Sequence, residues 1–173
     1  MSDNGSLYLL DANTLITSQH VYYPNEMVPE LWSWLLHQAM NNRIKMPAEI
    51  YEEVLVGKDD LLTTWLKKPE VKNALLLDEQ VDPHLVQYVV ETGYAPDLDE
   101  NEIAAIGMDP FLISYALAQQ GARCVVSLEA SKPSAQRKNR RVPDVCKDLG
   151  SECCNMFVLL RKLGFHTGWE RAV

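Results

Sequence analysis

The sequence predicts an α/β fold in three layers, with helices on both faces of a central, mostly parallel sheet of about four strands. One observation is the apolar run from Leu7 to Leu10, because a strand that is apolar on both faces belongs in a sheet covered on both sides. Another is the segment 109–127, in which a helix ends near Gly121 and an apolar strand follows at once. A helix that returns into such a strand is half of a βαβ unit, which implies parallel strands with right-handed crossovers.

The helices follow from apolar spacing and from the positions of proline and glycine. Pro29, Pro47 and Pro110 suit the first turn of a helix, because a proline there loses no helical hydrogen bond. Gly121 and Gly164 suit helix ends, since glycine readily adopts the left-handed conformation. We expect helices at 27–40, from residue 47 onward, at 60–68, at 82–92, from the N-cap Asp109 to Gly121, and at 153–163.

The strands are shorter and their signals weaker. They are expected at 7–10, 43–46 and 123–127, with a last short strand at Val142. The apolar run 74–77 fits either a strand or a helix, because a short apolar run has no distinguishing period.

Composition narrows the class of protein. The 173 residues suit one domain, 1–173, and the 47% apolar and 23% charged residues are ordinary for a globular chain. No run of about 18 apolar residues and no export leader is present, so we expect a cytoplasmic protein that does not span a membrane. The four cysteines form no C-x-x-C pair and the four histidines have no ligand spacing, which disfavours a zinc site.

Charge is separated along the chain, although the net charge is −8. Residues 91–109 hold six acids and no lysine or arginine, whereas residues 131–141 hold five cations and no acid. The acids could bind divalent cations and the basic segment could bind phosphate. Two alternatives remain open for the basic segment, a solvated loop and a docking site for an acidic partner. Its cations are Lys132, Arg137, Lys138, Arg140 and Arg141.

Acidic residues also mark the places where elements of the predicted sheet end. Asp11 and Glu129 follow two apolar strands, and Asp109 starts a helix. Because ligands bind at the carboxyl ends of parallel strands, we expect these acids to converge, with a fourth from Glu49, Glu52 or Glu53. Oxygen ligands alone suit Mg²⁺ or Mn²⁺, and the chemistry implied is phosphodiester hydrolysis. The alternative for Asp11 is a plain helix cap.

Four segments in order resemble the motifs of the PIN-domain ribonucleases, in particular the branch that contains VapC-type toxins. Residues 8–15 are an apolar strand running into D-x-[NS]-x-[LF], and residues 46–53 place acids after a proline. Residues 108–116 are similar to A-D-x-x-[IL]-x-x-A, and residues 125–129 to [VT]-[TS]-x-[DE]. The resemblance spans essentially the full chain. The basic loop and residues 142–146 resemble an uncharacterised PIN-like subfamily of similar length.

This resemblance implies a PIN-like fold and a metal-dependent endoribonuclease, the toxin of a toxin–antitoxin pair. It selects Glu53 as the second acid, so Asp11, Glu53, Asp109 and Glu129 would bind Mg²⁺ or Mn²⁺ and activate water. Glu129 stands where Asp is more usual, which makes Asp144 a candidate to assist or replace it. Asn13 and Ser127 would support the site, and the five cations at 131–141 would grip RNA. An antitoxin and a second copy of the chain are the implied protein partners.

Two other functions compete with this interpretation. One is a PIN-like binding module without catalytic activity, which cation binding would distinguish. The other is a haloacid-dehalogenase-like phosphatase, because residues 11–14 approach D-x-D-x-T. That chemistry needs a second aspartate as acid and base, and Asn13 cannot take that role.

Overall fold

The centre of the fold is a sheet of four parallel strands, as predicted. The structure, a computed structural model, describes residues 5–57 and 60–172. Within these ranges the strands are β1 (Leu7–Leu10), β2 (Ile44–Lys45), β3 (Arg123–Val126) and β4 (Glu152–Cys154), in the order β2-β1-β3-β4. In the register, Tyr8 lies opposite Ile44, Leu10 opposite Val126, and Val126 opposite Cys154. The carboxyl ends of β1 and β3 are therefore neighbours.

Helices flank the sheet and complete the three-layer α/β/α architecture. Two π-helical turns, Ser18–Tyr22 and Val89–Tyr94, continue α1 and α6, and 3-10 turns lie at Arg137–Asn139 and Trp169–Ala172. No helix of the described chain is long and apolar enough to cross a membrane. The α-helices are α1 (Ala12–Thr17), α2 (Pro29–Met40), α3 (Ala48–Leu55), α4 (Leu61–Leu66), α5 (Pro69–Leu75), α6 (Pro83–Tyr88), α7 (Glu100–Ile106), α8 (Asp109–Leu117), α9 (Val142–Leu149) and α10 (Met156–Lys162).

The two central strands are buried on both faces, which explains their continuous apolar sequence. Leu9, Leu10, Val125 and Val126 have no exposed surface. Full burial of each such side chain contributes roughly 1.5–3 kcal/mol. This burial holds β1 and β3 in register, so it also fixes where Asp11 leaves the sheet.

The prediction of a strand at Val142 and of a helix starting at Cys153 was wrong. Val142 begins α9, because Pro143 in the first turn favours a helix start. Residues 152–154 pair with β3 as β4, and α10 begins only after Asn155, whose side chain accepts a hydrogen bond from the Val158 amide. Apolar spacing alone missed this boundary, which the N-cap residue marks.

Several boundaries differ by a residue or two from those expected. Met108, not Asp109, is the N-cap of α8, and Asp109 is its first residue. Pro47 is the N-cap of α3 rather than a residue of its first turn. The undecided run 74–77 combines the end of α5 with a parallel bridge between Met46 and Leu76.

Candidate functional site

Asp11 leaves β1 at the carboxyl edge of the sheet. Its amide donates to the Val126 carbonyl oxygen at 3.0 Å, and Thr14 Oγ1 donates to the same oxygen at 2.9 Å. The residue is 4% exposed, and its carboxylate makes no capping bond to α1. Oδ2 instead accepts a 2.8 Å hydrogen bond from Ser127 Oγ. The side chain of Asp11 thus faces β3 rather than serving as a helix cap.

Ser127 is the junction between the ends of β1 and β3. A serine hydroxyl has one hydrogen to donate, and an ionised carboxylate can only accept it, so the proton lies towards Asp11. Ser127 Oγ then accepts from the Glu129 amide at 3.2 Å and from Asn13 Nδ2 at 3.4 Å. Asn13 Oδ1 accepts from the Leu128 amide at 3.1 Å. Ser127 therefore orients Asp11 directly, and Asn13 orients it through Ser127.

Asp11 and Asp109 lie in one electrostatic environment with Glu53 and Glu129. Burial raises the pKa of Asp109 to about 8, and the charges of Asp11, Glu129 and Glu53 add to this. Burial likewise raises the pKa of Asp11 to about 6, opposed by the hydrogen bond from Ser127 and reinforced by Glu129 and Glu53. Like charges raise a carboxyl pKa only when they are near. The structure therefore brings together the four acids singled out in the sequence, here called the carboxylate cluster.

Glu53 is the member of the α3 acids that joins this cluster. It is the most exposed of the four acids, and partial burial raises its pKa. A Cβ on Gly107, which has a φ of +55°, would lie 3.3 Å from Glu53 Oε1, so a glycine at this position gives Glu53 room. Glu49 lies elsewhere, because its Oε1 accepts a 3.3 Å bond from the Tyr115 hydroxyl. Glu52 is exposed.

Glu129 is held at the start of α9. Its Oε2 accepts a 2.8 Å hydrogen bond from the Val142 amide, and Oε1 lies 3.6 Å from an Arg141 guanidinium nitrogen. The first amides of a helix have no partner within the helix and favour an anion, so this position suits a carboxylate. The contact also connects the basic loop to the carboxylate cluster.

Asp144 anchors the basic loop. One carboxylate oxygen accepts from Ser131 Oγ and the other from the Lys132 amide at 2.7 Å. Burial would raise the pKa of Asp144, but these hydrogen bonds, with the charges of Arg140 and Lys147, hold it below its ordinary value. Both oxygens are used within the loop, which gives Asp144 a supporting rather than a ligating place in this structure.

Three of the five cations of the basic segment form ion pairs, and one of these cations, Arg137, pairs with the acidic segment. Arg137 binds Asp97 at 2.7 Å and Glu102 at 2.6 Å, and Arg140 binds Asp148. The other two of the five cations predicted to grip RNA, Lys132 and Lys138, have no ion pair in the described structure. Both are exposed.

Open grooves connect this loop to the carboxylate cluster. One groove of about 500 Å³ is lined by charged side chains of the loop and by Glu102. A second, of about 380 Å³, reaches Glu129. Lys132 and Arg141 line both grooves, so an anionic chain lying along them would arrive at the carboxylate cluster.

Tyr94 is the residue at this site that sequence reasoning missed. It ends the π-helical turn after α6 and is 6% exposed. Its hydroxyl is buried and has no hydrogen-bond partner in the structure as described. Burial is the largest cause that raises the pKa of Tyr94 above its ordinary range, and the negative charges of Asp109 and Glu129 are the next largest. No sequence pattern marks this residue, although π-helical turns are frequent at functional sites.

The carboxylate cluster fits a divalent cation in charge and in donor type. All four side chains offer oxygen, the ligand that Mg²⁺ and Mn²⁺ prefer, and Arg141 is the cation that opposes their charge at Asp109. In residues 5–57 and 60–172, no group of three or more His, Cys, Asp or Glu side chains stands in ligand geometry for a metal ion. The four acids are thus near enough to change one another's pKa but are not arranged at the distances of metal ligands. Repulsion between like charges favours such a separation.

Comparison with known proteins gave one family. A family model described as a domain of unknown function (DUF4411) matches residues 8–167. The match covers the sheet except Leu7 at the start of β1, and it includes the four acids of the carboxylate cluster and the basic loop. Comparison with curated proteins and with solved structures found no match.

Proposed function

We propose that this chain, which belongs to the DUF4411 family, is a PIN-like endoribonuclease that depends on Mg²⁺ or Mn²⁺. The observation that carries the proposal is the meeting of acids at the carboxyl edge of a parallel sheet, where Ser127 after β3 donates to the buried carboxylate of Asp11 after β1. Burial and acidic neighbours raise the pKa of both Asp11 and Asp109 there. Groups so perturbed in one place are typical of functional sites. A cation of charge +2 would relieve their repulsion.

In this proposal some groups would bind the cation and others hold the binding groups in place. Asp11, Glu53, Asp109 and Glu129 would hold the cation, with Asp11 fixed by Ser127 and Glu129 fixed by the Val142 amide. A bound cation of this kind supplies charge neutralisation at phosphate and lowers the pKa of water.

RNA would reach the carboxylate cluster along the grooves lined by Lys132 and Arg141. Within the basic segment, Lys138, like Lys132, has no ion pair in the described structure, whereas Arg137 and Arg140 fix the loop through their acidic partners. We infer a preference for single-stranded RNA, because a duplex hides its base edges in a deep groove. The RNA grip thus depends on fewer cations than the sequence suggested.

The protein partners follow from the resemblance to VapC-type toxins. We propose an antitoxin whose acidic segment covers the basic groove, and a homodimer of the chain. Co-expression with the product of a neighbouring regulator gene, followed by size-exclusion chromatography with light scattering, tests both. Isolation of the chain as a monomer that does not bind that product would contradict them.

A second candidate is a PIN-like module that binds its partner without catalysis. The contact between Arg141 and Glu129 favours it, because a guanidinium on a ligand carboxylate competes with a cation. Cation binding separates the two candidates. A protein that binds neither Mg²⁺ nor Mn²⁺ would be the inactive module.

Cleavage of RNA tests the nuclease directly. The full chain should cut single-stranded RNA in Mn²⁺ or Mg²⁺ and lose this activity in EDTA. Asp82→Asn is a matched control for substitution of an acid in the carboxylate cluster and should cut RNA like the wild type. Asp82 is an exposed N-cap of α6, and asparagine caps a helix as well as aspartate does. Cleavage that survives EDTA, or no cleavage of any single-stranded RNA, would overturn the proposed activity.

A further inference from the structure

The three ion-paired arginines of the basic segment are held with unequal firmness. Arg137 donates hydrogen bonds to both carboxylate oxygens of Glu102, at 2.8 and 2.6 Å, and Arg140 donates one to its acidic partner as well. Arg141 instead approaches Glu129 Oε1 only to 3.6 Å, which is too far for a hydrogen bond. A half-exposed ion pair of this kind is weak. Arg141 is therefore the paired cation that can most readily exchange its partner.

Glu129 does not need Arg141 to stay in place. Its Oε2 accepts the 2.8 Å hydrogen bond from the Val142 amide, so Oε1 is the oxygen that faces the guanidinium. The backbone of Arg141 is fixed as well, since it is the N-cap of α9 and its carbonyl oxygen accepts a 3.0 Å hydrogen bond from the Val145 amide. A change of partner therefore requires only a rotation of the Arg141 side chain, whose exposed fraction is 47%.

Beyond Glu129, the Arg141 side chain borders open space suited to an anion. It lines both grooves of the basic loop together with a second cation, Lys132. A guanidinium offers the same planar fork of donors to a carboxylate and to a phosphate. A phosphate in either groove would thus compete with Glu129 for one guanidinium.

We propose that Arg141 exchanges Glu129 for an RNA phosphate, and that this exchange couples RNA binding to cation binding. The inference rests on the proposed function of the same site. In the free chain Arg141 and Glu129 neutralise each other, whereas with RNA bound the guanidinium holds a phosphate and Glu129 Oε1 is free to ligate the cation. Each ligand then removes a competitor of the other, and such coupling is reciprocal. Cation binding is therefore tighter in the RNA complex than in the free chain.

Binding of a labelled single-stranded RNA of mixed sequence to the full chain in EDTA tests the exchange, with fluorescence anisotropy as the readout. Glu129→Gln keeps an oxygen for the Val142 amide but loses the charge that holds Arg141, so RNA should bind more tightly. Glu53→Gln is the matched control, because it removes an equal charge from the carboxylate cluster at a residue with no ion pair to Arg141 in the described chain. Glu129→Gln should gain about 3-fold more affinity than Glu53→Gln, in keeping with a half-exposed ion pair.

The same two substitutions in an Arg141→Gln background complete the comparison. The extra gain from Glu129→Gln should vanish there, because non-additivity reports the interaction between the two side chains. An extra gain that persists without Arg141 would indicate a general charge effect and overturn the exchange, as would equal gains from the two substitutions when Arg141 is present. Either result would leave the nuclease standing, because cleavage in Mn²⁺ and its loss in EDTA are measured separately.

Calorimetry with Mn²⁺ alone tests the other half of the coupling. Arg141→Gln should bind Mn²⁺ about 3-fold more tightly than the wild type, because Glu129 has lost the partner that competes with the cation. Lys147→Gln removes an equal charge from an exposed position of α9 and should bind Mn²⁺ like the wild type. Equal affinities in Arg141→Gln and Lys147→Gln would overturn the coupling alone. A wild type that binds neither Mn²⁺ nor Mg²⁺ would overturn both the coupling and the proposed function.

Discussion

Negative charge is concentrated both in the carboxylate cluster and at the ion pairs between the acidic and basic segments, but it shifts the pKa of the acids in opposite directions. At the ion pairs, the hydrogen bond from Arg137 is the largest of the causes that lower the pKa of Glu102 to about 2. At the carboxylate cluster, burial and three other acids raise the pKa of Asp109 to about 8. The first set of acids is paired within the chain, whereas in the second set the described residues give an ion pair to Glu129 alone. Under our proposal a cation from outside compensates the rest. Unpaired charge, rather than charge alone, therefore identifies the candidate site.

The largest effect should come from neutralising an acid of the carboxylate cluster. Asp11→Asn and Asp109→Asn should each reduce RNA cleavage in Mg²⁺ by at least about 100-fold, because the loss of a ligand weakens both cation binding and charge stabilisation. Initial rates at equal cation concentration measure this. Either variant cutting at the wild-type rate would remove that acid from the active site.

The pH dependence of stability should distinguish the two regions next. In EDTA, Asp109 has a pKa of about 8 in the folded chain, against the ordinary aspartate value of 3.8 that applies to the unfolded chain. Between these two pH values the folded chain binds a proton that the unfolded chain has lost. The free energy of unfolding therefore falls as pH rises from about 4 to about 8, by about 1.4 kcal/mol for each unit that separates the two pKa values.

Denaturation in urea at pH 5 and pH 8 measures this trend. Asp109→Asn removes the titrating group, so it should be more stable than the wild type at pH 8, with a smaller difference at pH 5. Glu102 has the opposite sign, because its lowered pKa gives stability above its ordinary pKa that is lost as pH falls towards 2. A wild type equally stable at both pH values, with no gain in Asp109→Asn, would contradict the account.

The choice among the α3 acids gives a smaller effect. Glu53→Ala should weaken Mn²⁺ binding by about 10-fold, or about 1.4 kcal/mol. Glu52→Ala should leave it unchanged, because the charge of Glu53, and not that of Glu52, is among those that raise the pKa of Asp11 and Asp109. Calorimetric titration of both variants makes the comparison. A larger loss in Glu52→Ala would exchange the two assignments.

The smallest effect should appear in the salt dependence of RNA binding. Lys132→Gln with Lys138→Gln removes the two cations of the basic segment that have no ion pair in the described structure. It should flatten the log-log slope of binding against salt by up to about 0.7 for each lost phosphate contact. Binding at several salt concentrations, with Asp11→Asn present to prevent cleavage, gives the slope. An unchanged slope would indicate that this loop docks a protein instead.

The sequence predicted the parts of the fold that short-range signals specify. The apolar β1 and β3 and the helix between them indicated a parallel sheet, because burial on both faces leaves a continuous apolar run. The same logic placed Asp11 and Glu129 at one edge. β4 was missed since its three residues form a short edge strand whose sequence, Glu-Cys-Cys, has no clear alternation.

The rest depended on contacts between segments far apart in sequence. Arg137 meets Asp97 across 40 positions, and nothing in the basic run shows that this cation is already paired. Tyr94 ends a π-helical turn after α6, where Gly93 packs closely on Val145 of α9, and it feels the charges of Asp109 and Glu129. Such placements arise from tertiary packing, which local patterns do not encode.

Calorimetric titration of the wild-type chain with Mg²⁺ or Mn²⁺ at pH 7 in buffers of different ionisation enthalpy tests the central claim most directly. Because Asp109 has a pKa of about 8 and Asp11 one of about 6, cation binding should release protons, and the apparent enthalpy should change with the buffer. The proton release should fall in Asp109→Asn. Absence of binding, or binding without proton release, would contradict the claim that these acids form a cation site.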